Sequence, residues 1–378
     1  MLPNIAEPLR ILMVTPRYFP DMGGVETHVS EVSRRLVHDG AQVTILTADR
    51  TGQRPTSEYI DGVHIQRVRA WPANRDYYFA PGITQVITTG GWDVIHCQSY
   101  HTLVAPMAML AAQHARIPYV VTFHGGGHSS RLRTALRSSQ WQVLRPLLAR
   151  AARLIAIANF EIALYSRHLR LPKERFSFIP NGSDLPSVPQ RPAASPSSEP
   201  LIVSVGRLER YKGHQHAIAA LPMVLKQYPD ARLRIVGSGP YEPELRQLAQ
   251  KLGVAERVAI GAIAPTARHE MATLVSQAHL VALLSDYETH PIAALEALSL
   301  GRPVLVTQTS GLGELADRGL ARSVPLHSSP AHIAAAMIEQ LRQPLLPGTL
   351  HLPSWDDCAT QLHQLYHTIA GRPVPCAY

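Results

Sequence analysis

Short apolar runs rich in β-branched residues alternate along this chain with longer stretches whose apolar positions recur every three or four residues. RILMVT (10–15) reads as a buried strand closed by Pro16. From Gly24 to Asp39, the residues Val25, Val29, Val32 and Leu36 share one helical face, and Gly40 ends the pattern. QVTILTA, VHIQRV, DVIHCQ, PYVVTFHG, RLIAIAN and FSFIPN follow, most of them separated by helix-length segments. Strands alternating with helices predict a mostly parallel sheet with helices on both faces. LPSVPQRPAASPSSEP (185–200) keeps no apolar period and reads as a linker. The alternation then restarts with LIVSVGR, a helix from about His214, LRIVGSG, a helix from about Tyr241, RVAIGAI, HLVALLS, PVLVTQ and RSVPL. A helical pattern at Pro330 to Arg342 and a last helix, about Trp355 to Ile369, close the chain.

The expected organisation is a first domain over 1–184, a linker over 185–200, a second domain over 201–350 and a terminal segment over 351–378. Each domain is read as a doubly wound, Rossmann-like α/β unit. In such sheets ligands bind at the carboxyl ends of the strands, so a cleft between the domains is the expected site.

A length of 378 residues agrees with two domains. With 46% hydrophobic and 17% charged residues, the balance is globular, which excludes disorder, collagen-like repeats and coiled coil. Cys97, Cys358 and Cys376 are too few and too scattered for a disulfide framework or a zinc site, so a reducing compartment is expected. No run of about 18 apolar residues is present to span a bilayer, and MLPNIAEPLR lacks the order of a signal peptide. A cytoplasmic location follows as the expectation.

The net charge of +8 is uneven: 20 Lys/Arg oppose 13 Asp/Glu through Asp184, and 16 oppose 15 beyond it. Arg131, Arg133, Arg137, Arg145, Arg150 and Arg153 fall in one stretch without an acid, interleaved with Leu, Trp141 and Val. Two readings stay open. The stretch is either a basic amphipathic face resting on anionic lipid at the inner side of a membrane, or a solvated face of an ordinary helix pair broken at Pro146.

Candidate chemistry concentrates at strand ends. SDYETHPIAALEALSLG (285–301) follows HLVALL, with Pro291 suited to a first helical position and Gly301 to the residue past the helix end. Glu288 precedes that helix, and Glu296 lies about 7–8 Å along its axis. A phosphate at the helix N-terminus would leave Glu296 placed for ribose hydroxyls, with Glu288 facing a transferred sugar on the other side. Glu296 is also the only charge in PIAALEALSL and needs donors if it is buried. In VGRLERYKG, Arg207 and Lys212 follow another strand and offer fixed positive charge to a leaving diphosphate. Gly23-Gly24 opens a helix after the first strand, and Gly237 lies in a similar glycine-rich turn; either lets backbone approach an anion or a sugar. His124, followed by three glycines at a strand end, stands out among 19 histidines. No HExxH, GxSxG or GxxxxGK[ST] pattern occurs, and no bound catalytic metal is expected.

In order and spacing these residues resemble the retaining glycosyltransferases of the family-4 type, with the GT-B fold, over nearly the whole chain. GGVETH, His124 with its glycines, Asn181-Gly182, Gly206-Arg207, Lys212-Gly213, GSGP at 237–240 and the pair Glu288/Glu296 carry the resemblance. It implies a metal-independent, retaining hexosyltransferase without a cofactor, which moves a sugar from a nucleotide diphosphate sugar (a UDP-sugar favoured over a GDP-sugar) to an acceptor hydroxyl. Glycolipid, polysaccharide or glycoconjugate synthesis would be its setting. Carried over by position, Arg207 and Lys212 would bind the diphosphate, Glu296 the ribose, and Glu288 and His124 would stand beside the sugar. Gly23, Gly24, Gly206, Gly237 and the run Thr289-His290-Pro291-Ile292 would line the donor. Where relatives often have Gly-Phe-Gly, this chain has Thr289-His290-Pro291, which bears on the identity of the sugar. The resemblance also implies that the last helix crosses back onto the first domain.

The rival readings are an epimerase or phosphorylase on the same fold, a dinucleotide-dependent oxidoreductase and a nucleic-acid binder. The oxidoreductase would need GxGxxG, which PDMGGVE and VGSGP do not supply. A nucleic-acid binder would need aromatics interleaved with its basic stretch, and aromatics are only 6% overall.

Overall fold

The computed structural model describes residues 7–373 apart from 22, 74–77, 126–130, 184, 187, 189–198, 265 and 347–351, and describes residues 131–138 by their backbone. The chain divides into two compact units, Met1–Gly125, Ala135–Gly182 and Pro353–Tyr378 on one hand, Gly126–Thr134 and Ser183–Leu352 on the other.

The first unit runs β1 (Arg10–Thr15), α1 (Gly24–His38), β2 (Gln42–Asp49), β3 (Ser57–Ile60), β4 (Val63–Arg69), α2 (Gly82–Thr89), β5 (Val94–Gln98), α3 (Val104–His114), β6 (Tyr119–Thr122), α4 (Arg131–Leu148), β7 (Arg153–Ala156), α5 (Asn159–Leu169) and β8 (Phe176–Phe178). Its sheet has the order β3-β4-β2-β1-β5-β6-β7-β8. Every pairing is parallel except β3 with β4. Alternate residues of β1 serve opposite faces. Leu12 and Val14 join a core with Val104 of α3 and Trp141 of α4. Ile11 and Met13 join another with Val29 and Leu36 of α1. That second face is completed from far along the chain by α12 (Trp355–Ala370), which contributes Trp355, Leu362 and Tyr366. A capping box at Ser354 and Asp357 starts α12. Gly182 holds it close: a Cβ there would lie 2.2 Å from the Trp355 nitrogen.

The second unit runs β9 (Leu201–Val205), α6 (His214–Val224), β10 (Arg232–Val236), α7 (Glu242–Lys251), β11 (Val258–Gly261), α8 (Arg268–Gln277), β12 (Leu280–Leu283), α9 (Ile292–Ser299), β13 (Val304–Gln308), α10 (Ser310–Asp317), β14 (Arg322–Pro325) and α11 (Pro330–Arg342). Its sheet is parallel throughout, in the order β11-β10-β9-β12-β13-β14. Ile202 of β9 packs with Ile218 of α6 and Met337 of α11, while the neighbouring Val203 packs with α9 and α10 on the other face. Both units are therefore doubly wound. In each, the strand order reverses beside the first strand, between β1 and β5 and between β9 and β12. Open α/β sheets bind ligands outside the carboxyl ends of the strands at such a reversal.

Pro146 lies inside α4, so the expected break there does not occur. In the last turn a proline removes one backbone hydrogen bond, and the helix continues two residues further.

Candidate active site

In the second unit the chain leaves β9 through Gly206 and Arg207, makes a tight turn and enters α6 at His214. Gly213 makes that turn possible. Its φ is 75°, and a Cβ would lie 1.9 Å from the Leu284 carbonyl oxygen, so only glycine lets the exits of β9 and β12 touch. The contact brings Lys212 to Glu288, with Nζ 2.5 Å from Oε1 and the two side chains 16% and 21% exposed. Ser285 Oγ lies 3.1 Å from the same carboxylate oxygen and 3.2 Å from the Lys212 carbonyl. The Glu288 backbone is clamped as well. Its N–H donates to Ser310 Oγ (2.8 Å), and its carbonyl accepts from the Gly311 N–H (2.8 Å). Sequence reasoning gave Lys212 to the diphosphate and Glu288 to the sugar; the structure joins the two as one ion pair.

Arg207 reaches outward, 63% exposed, with its guanidinium 2.6 Å from Glu209 Oε1 and donating to Tyr211 Oη (2.8 Å). Beneath it, His214 sits between Ser204 Oγ (2.9 Å) and the Arg207 carbonyl (3.3 Å). Burial drives the His214 pKa down to about 4, with the Lys212 charge adding to the effect. Gly237, at the exit of β10, backs directly onto Gly206: a Cβ on Gly237 would lie 1.9 Å from the Gly206 carbonyl.

Thr289 is buried and His290 and Pro291 lead into α9. The helix starts at Ile292, one residue later than the sequence suggested, because a ψ of 76° takes Pro291 out of the helical region. Glu296 is 6% exposed among Ala294, Leu295, Ala297 and Leu298. A carboxylate so placed needs a donor, and Arg268 at the start of α8 supplies an ion pair to its Oε1. Sequence reasoning missed Arg268, Ser285, Ser310 and Gly311. Arg268, Ser310 and Gly311 meet their partners only through the sheet's crossovers, so no spacing marks them. Ser285 lies three residues before Glu288, in a loop whose folding the sequence does not display.

In the first unit, Gly23 caps α1 in extended conformation and Gly24 is its first residue. A Cβ on Gly24 would meet nothing within 4 Å. His124 follows β6 with a φ of 44° and is 8% exposed. Its Nε2 lies 2.6 Å from Gln98 Oε1, at the end of β5, and its ring stands 4.8 Å from that of His28 on α1. Burial, then the neighbouring His28, His96 and His101, hold its pKa well below the ordinary histidine value. Of the basic stretch, the side chains of Arg131, Arg133 and Arg137 lie outside the described residues. Arg145 donates to the Leu169 carbonyl (2.7 Å), Arg150 to Gln113 Oε1 (3.1 Å) and Arg153 to the Glu174 carbonyl (3.3 Å). Trp141 is turned into the core, its indole N–H donating to Tyr100 Oη (2.9 Å). No helix among the described residues is long and apolar enough to cross a membrane.

Two open sheets, parallel except for the β3 edge of the first and each with polar side chains gathered at its own point of reversal, fit a GT-B architecture. Solved structures agree. The chain superposes on sucrose-phosphate synthase from Thermosynechococcus elongatus with a TM-score of 0.76, at 21% identity over 96% of this chain and 99% of that one. Anabaena HepE in complex with UDP and glucose gives 0.69 at 18% identity, over 96% and 98%. The sequence matches Glycosyltransferase Family 4 over residues 22–186 and Glycosyl transferases group 1 over residues 190–350. A glycogen synthase of Mycobacterium tuberculosis is 29% identical across 89% of this chain and 87% of that protein. The chain belongs to the family-4-type glycosyltransferases.

Proposed function

We propose that this glycosyltransferase moves a hexosyl group from a nucleotide diphosphate sugar to an acceptor hydroxyl, with retention of configuration and without a protein-bound metal. The reading rests above all on the meeting of Lys212 and Glu288 where the second sheet reverses, at 2.5 Å. Arg207 stands out into solvent from the same strand exit, and Glu296 is buried in the middle of α9. Arg207 and Lys212 offer positive charge where a departing diphosphate develops negative charge. Glu296 receives the ribose hydroxyls, its carboxylate oriented by Arg268. Donor binding releases Lys212 from Glu288 toward the phosphates and leaves Glu288 beside the sugar. His124 contacts the sugar from the first unit, and Gly23, Gly24, Gly206, Gly237 and residues 289–292 line the donor. A UDP-sugar is the favoured donor, and polysaccharide or glycoconjugate synthesis the setting.

Thermal unfolding with UDP-, GDP- and ADP-sugars tests the donor. A ligand present at 100 times its Kd adds about 2.7 kcal/mol of stability. The configuration of the product, read by NMR, tests retention, and an inverted product contradicts it. Turnover unchanged by EDTA is expected, and its loss contradicts metal independence. Hydrolysis of the donor without acceptor, with neither epimerised sugar nor phosphate-dependent release of a sugar phosphate, separates transfer from the epimerase and phosphorylase readings.

A second reading concerns location. Arg145, Arg150 and Arg153 each donate to a neutral acceptor, and a basic surface resting on anionic headgroups is the role proposed for this stretch. Liposome sedimentation decides it: equal binding to neutral and anionic vesicles rules out the membrane role.

A further inference from the structure

A line of buried polar side chains runs through the first unit from its last helix to His124. It begins at Tyr366 of α12, fully buried, whose hydroxyl lies 2.5 Å from His96 Nδ1 and 4.0 Å from Met13 Sδ. Burial holds the Tyr366 pKa well above its ordinary value, so the phenol keeps its one hydrogen. An imidazole nitrogen is a far better acceptor than a thioether, so that hydrogen goes to His96. His96 Nδ1 is then an acceptor, and the neutral ring carries its own hydrogen on Nε2, 2.7 Å from Thr122 Oγ1.

Gln98 comes next. Its amide nitrogen lies 3.1 Å from the same His96 Nδ1, and its Oε1 is 2.6 Å from His124 Nε2. The opposite amide orientation would set a carbonyl oxygen against the Nδ1 lone pair. An amide oxygen only accepts. Its neighbour on the ring, His124 Nε2, must therefore carry the hydrogen, and Nδ1 is left as an acceptor. Each orientation and tautomer is assigned by the hydrogen-bond network from the phenol onward. The start of the same helix packs on the other side of this site, with Trp355 stacked edge-on against His28 at 5.9 Å and His28 against His124 at 4.8 Å.

We propose that Tyr366 and Gln98 are positioning residues that fix His124 as its Nε2–H tautomer, so that its imidazole accepts a hydrogen bond, through Nδ1, from a hydroxyl of the transferred sugar. The tautomer on a ring nitrogen is set by what the other nitrogen meets. Here the determinant comes from a helix more than two hundred residues downstream, which gives α12 a part in the site beyond covering a sheet face. The inference rests on His124 being a sugar contact.

Long-range nitrogen–proton NMR of histidine-labelled protein reads the tautomer, with the His124 signals assigned from their loss in His124→Gln. The wild type is expected to show the Nε2–H pattern. In Tyr366→Phe, nearly isosteric, and in Gln98→Leu, the pattern is expected to become mixed. Turnover in both falls roughly tenfold, as for other groups that orient a functional histidine, while the donor KM changes far less. Unfolding temperatures identify any variant that fails to fold, and Tyr366→Phe then carries the test. An Nδ1–H pattern in the wild type, or wild-type turnover in the folded variants, overturns the proposal. His124→Ala separates the two layers. Full turnover in that variant defeats the sugar-contact reading itself, whereas loss there alongside full turnover in Gln98→Leu defeats only the tautomer assignment's role.

Discussion

Replacing Gly311 by alanine tests how tightly the loop carrying Glu288 is built. An added Cβ would lie 2.1 Å from the Thr289 carbonyl oxygen, 2.9 Å from its carbon and 3.0 Å from the Glu288 oxygen. Contacts to a Cβ under 3.0 Å essentially do not occur, so the Thr289 carbonyl must retreat by about 0.9 Å. All three close atoms are backbone, and no side chain can swing aside to relieve them. The same step pulls on two 2.8 Å hydrogen bonds, Gly311 N–H to Glu288 O and Glu288 N–H to Ser310 Oγ. Overpacking of this kind costs about 1–3 kcal/mol, or roughly 3 °C in unfolding temperature per kcal/mol for a unit of this size. The larger effect is expected on catalysis, since a displacement near 1 Å at a positioning element can cost on the order of a hundredfold in rate. Transfer assayed at saturating donor should therefore fall by about that factor in a protein that still unfolds cooperatively. Wild-type turnover together with an unchanged unfolding temperature would refute the idea that this backbone contact sets the position of Glu288.

Gly24→Ala gives the complementary result: a Cβ there has open space, so stability should hold while donor or acceptor KM rises, and unchanged kinetics would remove Gly24 from the site. Lys212→Met and Glu288→Gln should each slow transfer, yet the double variant should fall short of their product, with a coupling of about 0.5–3 kcal/mol for groups in contact; strictly additive rates would mean that the pair acts independently. Acid stability should carry the mark of His214. Its folded pKa of about 4 lies below the ordinary 6.5, so the unfolded chain binds the proton more readily. The stability it contributes is complete above pH 6.5, declines as pH falls and is gone near pH 4, a loss of about 3 kcal/mol. His214→Gln should flatten that acid limb in denaturant titrations, and an unchanged limb would show that other groups cause it.

Much of the fold is legible in the sequence, where apolar pattern and punctuation agree. RILMVT forms β1 from Arg10 to Thr15, and α11 begins at Pro330 and ends at Arg342 as its periodicity and its opening proline indicate. The missed elements are those without a pattern of their own. SEYI, which becomes β3, alternates exposed and half-buried positions on the sheet's antiparallel edge and offers no apolar run. SGLGELAD carries two glycines and too short an apolar repeat to stand out between PVLVTQ and RSVPL, yet it forms α10, with Gly311 packed directly against the Thr289 carbonyl. The site divides in the same way. Glu296 betrays itself as a lone charge in an apolar helix, but its partner Arg268 stands 28 residues upstream with no marking spacing. His124 is conspicuous at its strand end, whereas Tyr366 becomes its distant neighbour only because α12 returns to the first unit.

The central claim is that a nucleotide diphosphate sugar is held at the carboxyl edge of the second sheet by Arg207, Lys212 and Glu296. Calorimetric titration of UDP into the wild-type chain and into Arg207→Met, Lys212→Met and Glu296→Gln tests it most directly. Saturable binding in the wild type, weakened at least about tenfold in each variant (1.4 kcal/mol), is the result expected here. Equal affinity in all four proteins would place the nucleotide elsewhere and contradict the account.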